Sequence, residues 1–244
     1  MAGGLGSRFW PVSQGAIPKQ VLDVLGTGRT LIQMTVYRLA KIAPKDQIYV
    51  MTNVDYADLV HEQTGLAYSQ ILTEPMRKNT APCIAYAAHK IHALNSSANL
   101  VVAPSDHLIL DENSFVSIIN TAIEKAQENQ IVTLGIKPSR PDTGYGYIQF
   151  DAASGTQLGS VKDVIKFTEK PDHEKAEAFV ASGDYYWNSG IFIWKTSTVI
   201  DGLEKFKPAV NKLFTSKGND YNTENEQDFV NNAFQETESV SIDY

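Results

Sequence analysis

Short runs of β-branched and aliphatic residues alternate along the chain with longer amphipathic segments. The short runs predict β-strands at Ile48–Thr52, Gln70–Glu74, Asn99–Ala103, Ile131–Ile136, Gly146–Phe150, Val161–Glu169 and Gly190–Trp194. Two of them, Asn99–Ala103 and Gly190–Trp194, are almost continuously apolar. Such runs are typical of strands buried on both faces of a parallel sheet, so we expect both to lie in one.

The longer segments predict helices at Thr30–Ile42, Asn79–Leu94, Glu112–Asn129, His173–Ser182 and Thr196–Phe206. Thr80 is a suitable N-terminal cap for the second helix, since its hydroxyl can accept a backbone hydrogen bond. Pro82 would then lie in the first turn, where proline is tolerated. The alternation of strands and helices over residues 1–135 predicts an α/β layered fold. The stretch Ser216–Asn232 is rich in Asn, Asp and Glu, and we expect it to be a solvated surface region.

Composition narrows the class of protein. Hydrophobic residues make up 43% of the 244 residues, which excludes a disordered or low-complexity chain. The net charge of −7 excludes an extended positive surface, so we expect no nucleic-acid partner and no membrane partner. Cys83 stands alone, which excludes an internal disulfide, and we expect it to be a buried apolar side chain. With no apolar run long enough to span a bilayer, the sequence predicts a cytoplasmic protein.

The strongest chemical signal opens the chain, as Gly3-Gly4-Leu5-Gly6-Ser7-Arg8 followed by Pro18-Lys19. Glycines let backbone N–H groups approach a polyphosphate, and Arg8 and Lys19 offer cations to its oxygens. A dinucleotide-binding fingerprint needs a glycine where Phe9 stands, which disfavours a dehydrogenase. The Gly-Lys-Ser/Thr sequence of a P-loop is also missing. The run therefore predicts a third kind of phosphate-binding loop.

A second signal follows the apolar strand Asn99–Ala103, where the chain continues Pro104-Ser105-Asp106-His107. A carboxylate at the carboxyl end of a parallel strand lies in the crevice where ligands bind. Oxygen ligands of this kind suit Mg²⁺, although Asp106 is equally suited to capping a turn. We expect His107 to have a structural role in this loop.

Taken together, these segments resemble the sugar-1-phosphate nucleotidyltransferases, and within them the bacterial mannose-1-phosphate guanylyltransferases. The resemblance spans nearly the whole chain and rests on the glycine loop together with Glu74-Pro75, Asn79-Thr80-Ala81-Pro82, Pro104-Ser105-Asp106-His107, Thr143-Gly144-Tyr145-Gly146-Tyr147-Ile148, Phe167-Thr168-Glu169-Lys170-Pro171, Trp187-Asn188-Ser189-Gly190 and Ser241-Ile242-Asp243-Tyr244. It implies a Rossmann-like α/β fold of the nucleotide-diphospho-sugar transferase type, with a mostly parallel or mixed sheet flanked by helices. It also implies one domain over residues 1–244, with a nucleotide-binding half (1–135) and a sugar-phosphate-binding half (136–244).

The resemblance implies a reaction as well: GMP passes from GTP to mannose 1-phosphate, giving GDP-mannose and pyrophosphate. Mg²⁺ would be held by Asp106 and Asp243, and the catalytic residues would be Arg8, Lys19, Asp106 and Lys170. The nucleotide would be bound by Ala2, Gly3, Gly4, Gly6, Ser7, Asn79, Thr80, Pro104 and Ser105. The sugar phosphate would be bound by Gly144, Tyr145, Glu169, Lys170 and Asn188.

Other interpretations stay open. The same chemistry could act on glucose 1-phosphate with UTP or dTTP, or the chain could be a catalytically silent nucleotide-sugar-binding module. Lys170 could form only a surface ion pair with Glu169, and Asn79 or Thr80 could serve only as a helix cap. Family members have a strand before the glycine loop and continue beyond Tyr244, so we expect the chain to be truncated at both ends. A homodimer is compatible with the sequence.

Overall fold

In the part of the chain that the structure describes, helices pack against two β-sheets. The computed structural model describes Met1, residues 18–154, Gln157 and residues 159–215 and 220–243. The first sheet pairs β1 (Val50–Asn53) with β2 (Ile71–Glu74) in parallel. The second has the order β3-β7-β5-β6, and β4 also pairs with β7. Its strands are β3 (Asn99–Val102), β4 (Val132–Ile136), β5 (Tyr147–Phe150), β6 (Val164–Thr168) and β7 (Tyr185–Lys195).

Helices connect most of these strands. They are α1 (Leu31–Leu39), α2 (Ala57–Thr64), α3 (Thr80–Leu94), α4 (Glu112–Ala126), α5 (His173–Ser182), α6 (Thr196–Phe206), α7 (Pro208–Thr215) and α8 (Glu226–Glu236). The predicted α/β class with flanking helices is confirmed, but the strand directions are divided between two sheets: the first sheet is parallel, and every strand pair of the second is antiparallel. No helix in the described part of the chain combines the length and the apolar character needed to cross a bilayer.

The expectation that Asn99–Ala103 and Gly190–Trp194 lie in a parallel sheet is wrong. β3 and β7 are antiparallel neighbours, with Leu100 opposite Trp194 and Val101 opposite Ile193. The first pair packs into the core around α3, and the second packs into the core beneath α4. The continuous apolar run thus reflects burial between two helical layers, which says nothing about the direction of the neighbouring strand.

The prediction of a solvated stretch at Ser216–Asn232 is also wrong for its second half. This part enters α8, where Phe229, Val230 and Phe234 are at most 5% exposed. Their spacing is helical, but the polar residues around them masked this pattern in the sequence. The buried face of α8 belongs to the largest core, which also contains Phe214 of α7.

A buried ion pair connects α8 with α3. The ammonium of Lys90 donates to both carboxylate oxygens of Glu226, at 2.8 and 2.6 Å. The Tyr86 hydroxyl and the Asn222 N–H donate to the same carboxylate. Because both charged side chains are almost fully buried, each depends on the other and on these donors for its stabilisation.

Candidate functional site

A cavity of about 1180 Å³ lies beside the carboxyl end of β3 and is also lined by α4 and by β4 to β7. Part of its wall is apolar and comes from α4, β4 and β5. Its polar wall brings together seven residues that the sequence singled out, namely Asp106, Gly144, Tyr145, Glu169, Lys170, Asn188 and Asp243. Residues predicted separately for the metal and for the sugar phosphate therefore share one site.

Asp106 lies in the loop that joins β3 to α4, and its carboxylate forms an ion pair with Lys19. Both side chains are about one-quarter exposed, so the pair is reached by solvent. The resemblance implies that Lys19 binds the triphosphate and that Asp106 binds a metal ion. The ion pair shows that the two side chains lie next to each other.

The backbone of this loop is held by α1. The Thr35 hydroxyl donates to the Ser105 carbonyl at 3.4 Å, and Arg38 Nη2 donates to the His107 carbonyl at 3.5 Å. Arg38 is only 2% exposed, and its Nε and Nη1 have no acceptor among the described residues. Both carbonyls that flank Asp106 are therefore anchored to one helix. The only sequence signal for this was an arginine within an otherwise apolar helix face.

The other side of the loop is held by Met1. Its amino group donates to the Ala103 carbonyl at 2.8 Å, and its carbonyl accepts hydrogen bonds from the Ser105 N–H and hydroxyl. Ser105 is buried, and the glycine-rich run directly follows Met1. Ala2, Gly3, Gly4, Gly6, Ser7 and Arg8 lie outside the described residues.

His107, for which the sequence predicted a structural role, is partly buried in the same loop. Burial lowers the pKa of its imidazole; the nearby Asp106 opposes this effect, whereas Arg38 and Lys19 reinforce it. The ring is therefore kept neutral in the folded protein at neutral pH.

Asp243 is clamped by two donors. Asn188 Nδ2 donates to its Oδ1 at 2.9 Å, and the Ser241 hydroxyl donates to its Oδ2 at 2.7 Å. Asn188 lies on β7 opposite Gly135 of β4, at an irregularity in the strand register. Its amide thus contacts the second predicted metal carboxylate as well as facing the cavity.

Asn79 and Thr80 begin α3, and their roles differ from the predicted cap. Asn79 is the N-cap, with its Oδ1 accepting from the Thr80 N–H at 3.0 Å, so the assignment of the cap to Thr80 is wrong. The Thr80 hydroxyl instead contacts Ser241 Oγ at 3.0 Å and accepts from the Ile242 N–H at 2.9 Å. The start of α3 is thereby joined to the segment that carries Asp243.

The residues predicted to bind the sugar phosphate also line the cavity. Lys170 is 56% exposed and pairs with Glu169 at 2.9 Å, as the surface-pair interpretation predicted. A Cβ on Gly146 would lie 2.7 Å from Glu169 Oε2, so only glycine leaves room for this carboxylate. The Gly144 N–H donates to Asp142 Oδ1 at 2.9 Å, and the Tyr145 ring lies against Trp187.

Asp106 and Asp243 offer carboxylate oxygens, the type of ligand that a hard divalent cation prefers. Asp106 and Asp243 line the same cavity, and Oδ2 of Asp106 forms an ion pair with the ammonium of Lys19. The described residues contain no group of three acidic, His or Cys side chains close enough to enclose a metal. A pair of carboxylates suits Mg²⁺, which is commonly held by one or two carboxylates and completes its shell with water and substrate phosphates.

Comparison with known proteins supports this picture. The profile of the family described as Nucleotidyl transferase matches residues 1–234. The chain is 37% identical over 250 residues to a mannose-1-phosphate guanylyltransferase of Klebsiella pneumoniae, covering all of this chain and 52% of that protein. It is 41% identical over 208 residues to the alginate biosynthesis protein AlgA of Pseudomonas aeruginosa, covering 84% of this chain and 43% of that protein.

A solved structure is similar along the whole chain. It is described as a mannose-1-phosphate geranyltransferase from Thermus thermophilus, with a TM-score of 0.86, 28% identity, and coverage of all of this chain and 68% of that one. The chain spans about half the length of the curated relatives it matches. The family profile and the identity to these relatives agree with the cavity and its carboxylates: the chain belongs to the nucleotidyl transferase family.

Proposed function

We propose that this chain transfers GMP from GTP to mannose 1-phosphate, giving GDP-mannose and pyrophosphate. The observation that carries the proposal is the meeting of Asp106, Asp243, Glu169, Lys170 and Asn188 in one cavity. The names of the relatives favour this pair of substrates over glucose 1-phosphate with UTP or dTTP. We further propose that the 244 residues act as one nucleotidyltransferase unit in the cytoplasm.

The chemistry requires alignment and charge neutralisation. The phosphate oxygen of the sugar is already an anion, so it attacks the α-phosphorus of GTP in line while pyrophosphate leaves. No covalent enzyme intermediate is needed, and catalysis rests on positioning two polyanions and stabilising the charge on their oxygens. Bound Mg²⁺ would supply positive charge to the phosphate oxygens.

The proposal gives a task to each charged side chain that was predicted for the site and lies among the described residues. Asp106 and Asp243 hold Mg²⁺, and Lys19 offers a cation to the triphosphate beside Asp106. Lys170 binds the phosphate of mannose 1-phosphate, and Glu169 accepts hydrogen bonds from the sugar hydroxyls. When the sugar phosphate binds, the Lys170 ammonium exchanges a carboxylate partner for a phosphate, which its 56% exposure allows.

Asn188 has two donor hydrogens on its amide, one of which is directed at Asp243. The other is available to a sugar hydroxyl on the cavity side, since Asn188 lines the cavity. This residue would therefore connect the sugar to the metal carboxylate. The guanine edge would be read by the backbone of Ala2 and Gly3.

The substrate assignment is tested by measuring pyrophosphate release with each of GTP, ATP, UTP and dTTP, paired with mannose 1-phosphate or glucose 1-phosphate. The proposal predicts the highest kcat/KM for GTP with mannose 1-phosphate. Preference for UTP or dTTP would contradict the guanylyl assignment. Binding of GDP-mannose without pyrophosphate release from any pair would favour the silent binding module.

A further inference from the structure

A short chain of hydroxyl groups runs from the start of α3 to the carboxylate of Asp243. Thr80 Oγ1 lies 3.0 Å from Ser241 Oγ, and Ser241 Oγ lies 2.7 Å from Asp243 Oδ2. Thr80 and Ser241 are 161 residues apart in sequence. The contact therefore depends on the fold and is independent of local turn geometry.

The direction of this chain follows from its proton count. A serine hydroxyl has one hydrogen, and the carboxylate of Asp243 can only accept, so the Ser241 proton is used there. Ser241 must then be the acceptor in its contact with Thr80, and the Thr80 hydroxyl must be the donor. Thr80 Oγ1 in turn accepts from the Ile242 N–H at 2.9 Å. Each hydroxyl in the chain thus has a defined donor role.

The backbone strengthens the same connection. The Ala81 N–H donates to the Val240 carbonyl at 3.0 Å, and the Val240 N–H donates to the Lys78 carbonyl at 3.2 Å. The segment from Val240 to Asp243 is therefore bonded on both sides of Thr80. A shift of the α3 N-terminus would move Asp243 with it.

The second donor to Asp243 is equally fixed. Asn188 Oδ1 accepts from the Gly190 N–H at 3.1 Å, and the Thr133 hydroxyl lies between this oxygen, at 3.2 Å, and the Ile191 carbonyl, at 3.1 Å. These contacts set the amide orientation, so that Nδ2 faces Asp243 Oδ1. Both oxygens of Asp243 are oriented by donors while each keeps a lone pair that can face the cavity.

We propose that Thr80 and Ser241 are positioning residues that orient Asp243 for the divalent cation. The inference rests on the proposed function, in which Asp243 is a metal ligand. It assigns to Thr80 a task other than contact with the nucleoside, and it gives Ser241 a role in the site. Hydrogen-bond partners of metal ligands set the orientation of the ligand atoms, and their loss typically weakens metal binding by about 10- to 100-fold.

The test is a titration with Mn²⁺ alone, in which the electron paramagnetic resonance signal of free Mn²⁺ reports its dissociation constant. Ser241→Ala and Thr80→Val each remove one hydroxyl from the chain and should raise this constant by about tenfold. Thr80→Ser keeps the hydroxyl and should retain the affinity of the unsubstituted protein. Thr215→Val is the matched control, because Thr215 is an exposed residue of α7 away from the cavity and its hydroxyl donates to the Asn211 carbonyl at 2.6 Å.

Unchanged Mn²⁺ affinity in Ser241→Ala and Thr80→Val would overturn the inference. Equal weakening in Thr80→Ser or Thr215→Val would also overturn it, because the effect would then not depend on this hydroxyl chain. In turnover, the Mg²⁺ concentration for half-maximal rate should rise in Ser241→Ala while the KM for GTP at saturating Mg²⁺ stays constant. Mn²⁺ binding in the predicted order without pyrophosphate release would contradict the proposed function and leave the positioning role standing.

Discussion

Gly146 shows at the scale of one residue why the motif around it requires glycine. A methyl group there would collide with Glu169 Oε2 and with the Phe167 ring, which lie within 2.8 Å of the position of a Cβ. We expect Gly146→Ala to displace Glu169 and to lower kcat/KM for mannose 1-phosphate by about 10- to 100-fold, since misplacement by about 1 Å costs that much. Steady-state pyrophosphate release measures this change.

Gly202→Ala is the matched control for this substitution. Gly202 lies within α6, and no atom stands within 4 Å of the position of its Cβ. Alanine is favoured over glycine inside a helix, so this variant should be fully active and slightly more stable. Full activity of Gly146→Ala would refute the packing requirement at Glu169.

Lys170 carries the second prediction at this scale. Its ammonium is exposed and pairs with Glu169, so removing it should leave the fold intact. Because a charge-assisted contact to a phosphate is lost, Lys170→Met should raise the KM for mannose 1-phosphate by about tenfold or more, with the KM for GTP unchanged.

Lys175→Met controls for the loss of a cation, since Lys175 also forms an exposed ion pair, with Asp172 at 2.7 Å. Its kinetics should match those of the unsubstituted protein. If Lys170→Met binds mannose 1-phosphate as well as Lys175→Met does, Lys170 forms only the surface pair.

At the scale of elements, the attachment of α8 to α3 depends on the buried pair of Lys90 and Glu226. Lys90→Met leaves the carboxylate buried without its cation and should lower the free energy of unfolding by about 3–5 kcal/mol. Chemical denaturation measures this value. Lys125→Met breaks an exposed pair with Glu128 and should cost less than about 1 kcal/mol.

A double variant separates charge from packing. Combining Lys90→Met with Glu226→Leu removes both charges and should regain part of the stability lost in Lys90→Met. The buried charge does not explain the attachment of α8 if adding Glu226→Leu to Lys90→Met lowers the free energy of unfolding further, by as much as Glu226→Leu lowers it in the unsubstituted protein.

The contact between α3 and α7 should depend on pH through His89. Burial lowers the pKa of His89 below its ordinary value of about 6.5, and the Asn211 hydrogen bond only partly opposes this. The unfolded chain therefore binds the proton more readily than the folded protein does. The stability from neutral His89 is complete above about pH 6.5 and declines as the pH falls below it.

We expect the melting temperature to fall between about pH 7.5 and about pH 5.5, and to fall less in His89→Gln, which cannot be protonated there. His107, whose pKa burial also lowers, should retain part of the dependence in both proteins. The same decrease in both would show that His89 does not titrate in this range.

The elements also show how far the sequence alone could predict the fold. Apolar periodicity predicted α5 and α6 at their observed bounds, because their apolar faces are regular. It predicted only the second half of β7, since the polar residues Asn188 and Ser189 lie in the middle of a strand that the sheet nevertheless continues. Strand direction could not be read from burial, as β3 and β7 show.

At the level of the whole molecule, the sequence motifs predicted which residues line the cavity better than they predicted the contacts between those residues. The family resemblance implied that Asp106 and Asp243 share a metal, and the fold does bring them to one cavity from distant parts of the chain. The pairing of Thr80 with Ser241 has no local sequence signal, and the contact from Arg38 has only an arginine within a helix face, which does not indicate its partner. Such contacts exist only once the sheets and helices are assembled.

The most direct measurement of the central claim is Mg²⁺-dependent pyrophosphate release from GTP and mannose 1-phosphate. Asp106→Asn and Asp243→Asn should each abolish release, because each replaces a proposed metal carboxylate with a neutral amide. Asp201→Asn, on the exposed face of α6, should have no effect. Release that persists in Asp106→Asn and Asp243→Asn, or that does not require a divalent cation, would contradict the two-carboxylate site.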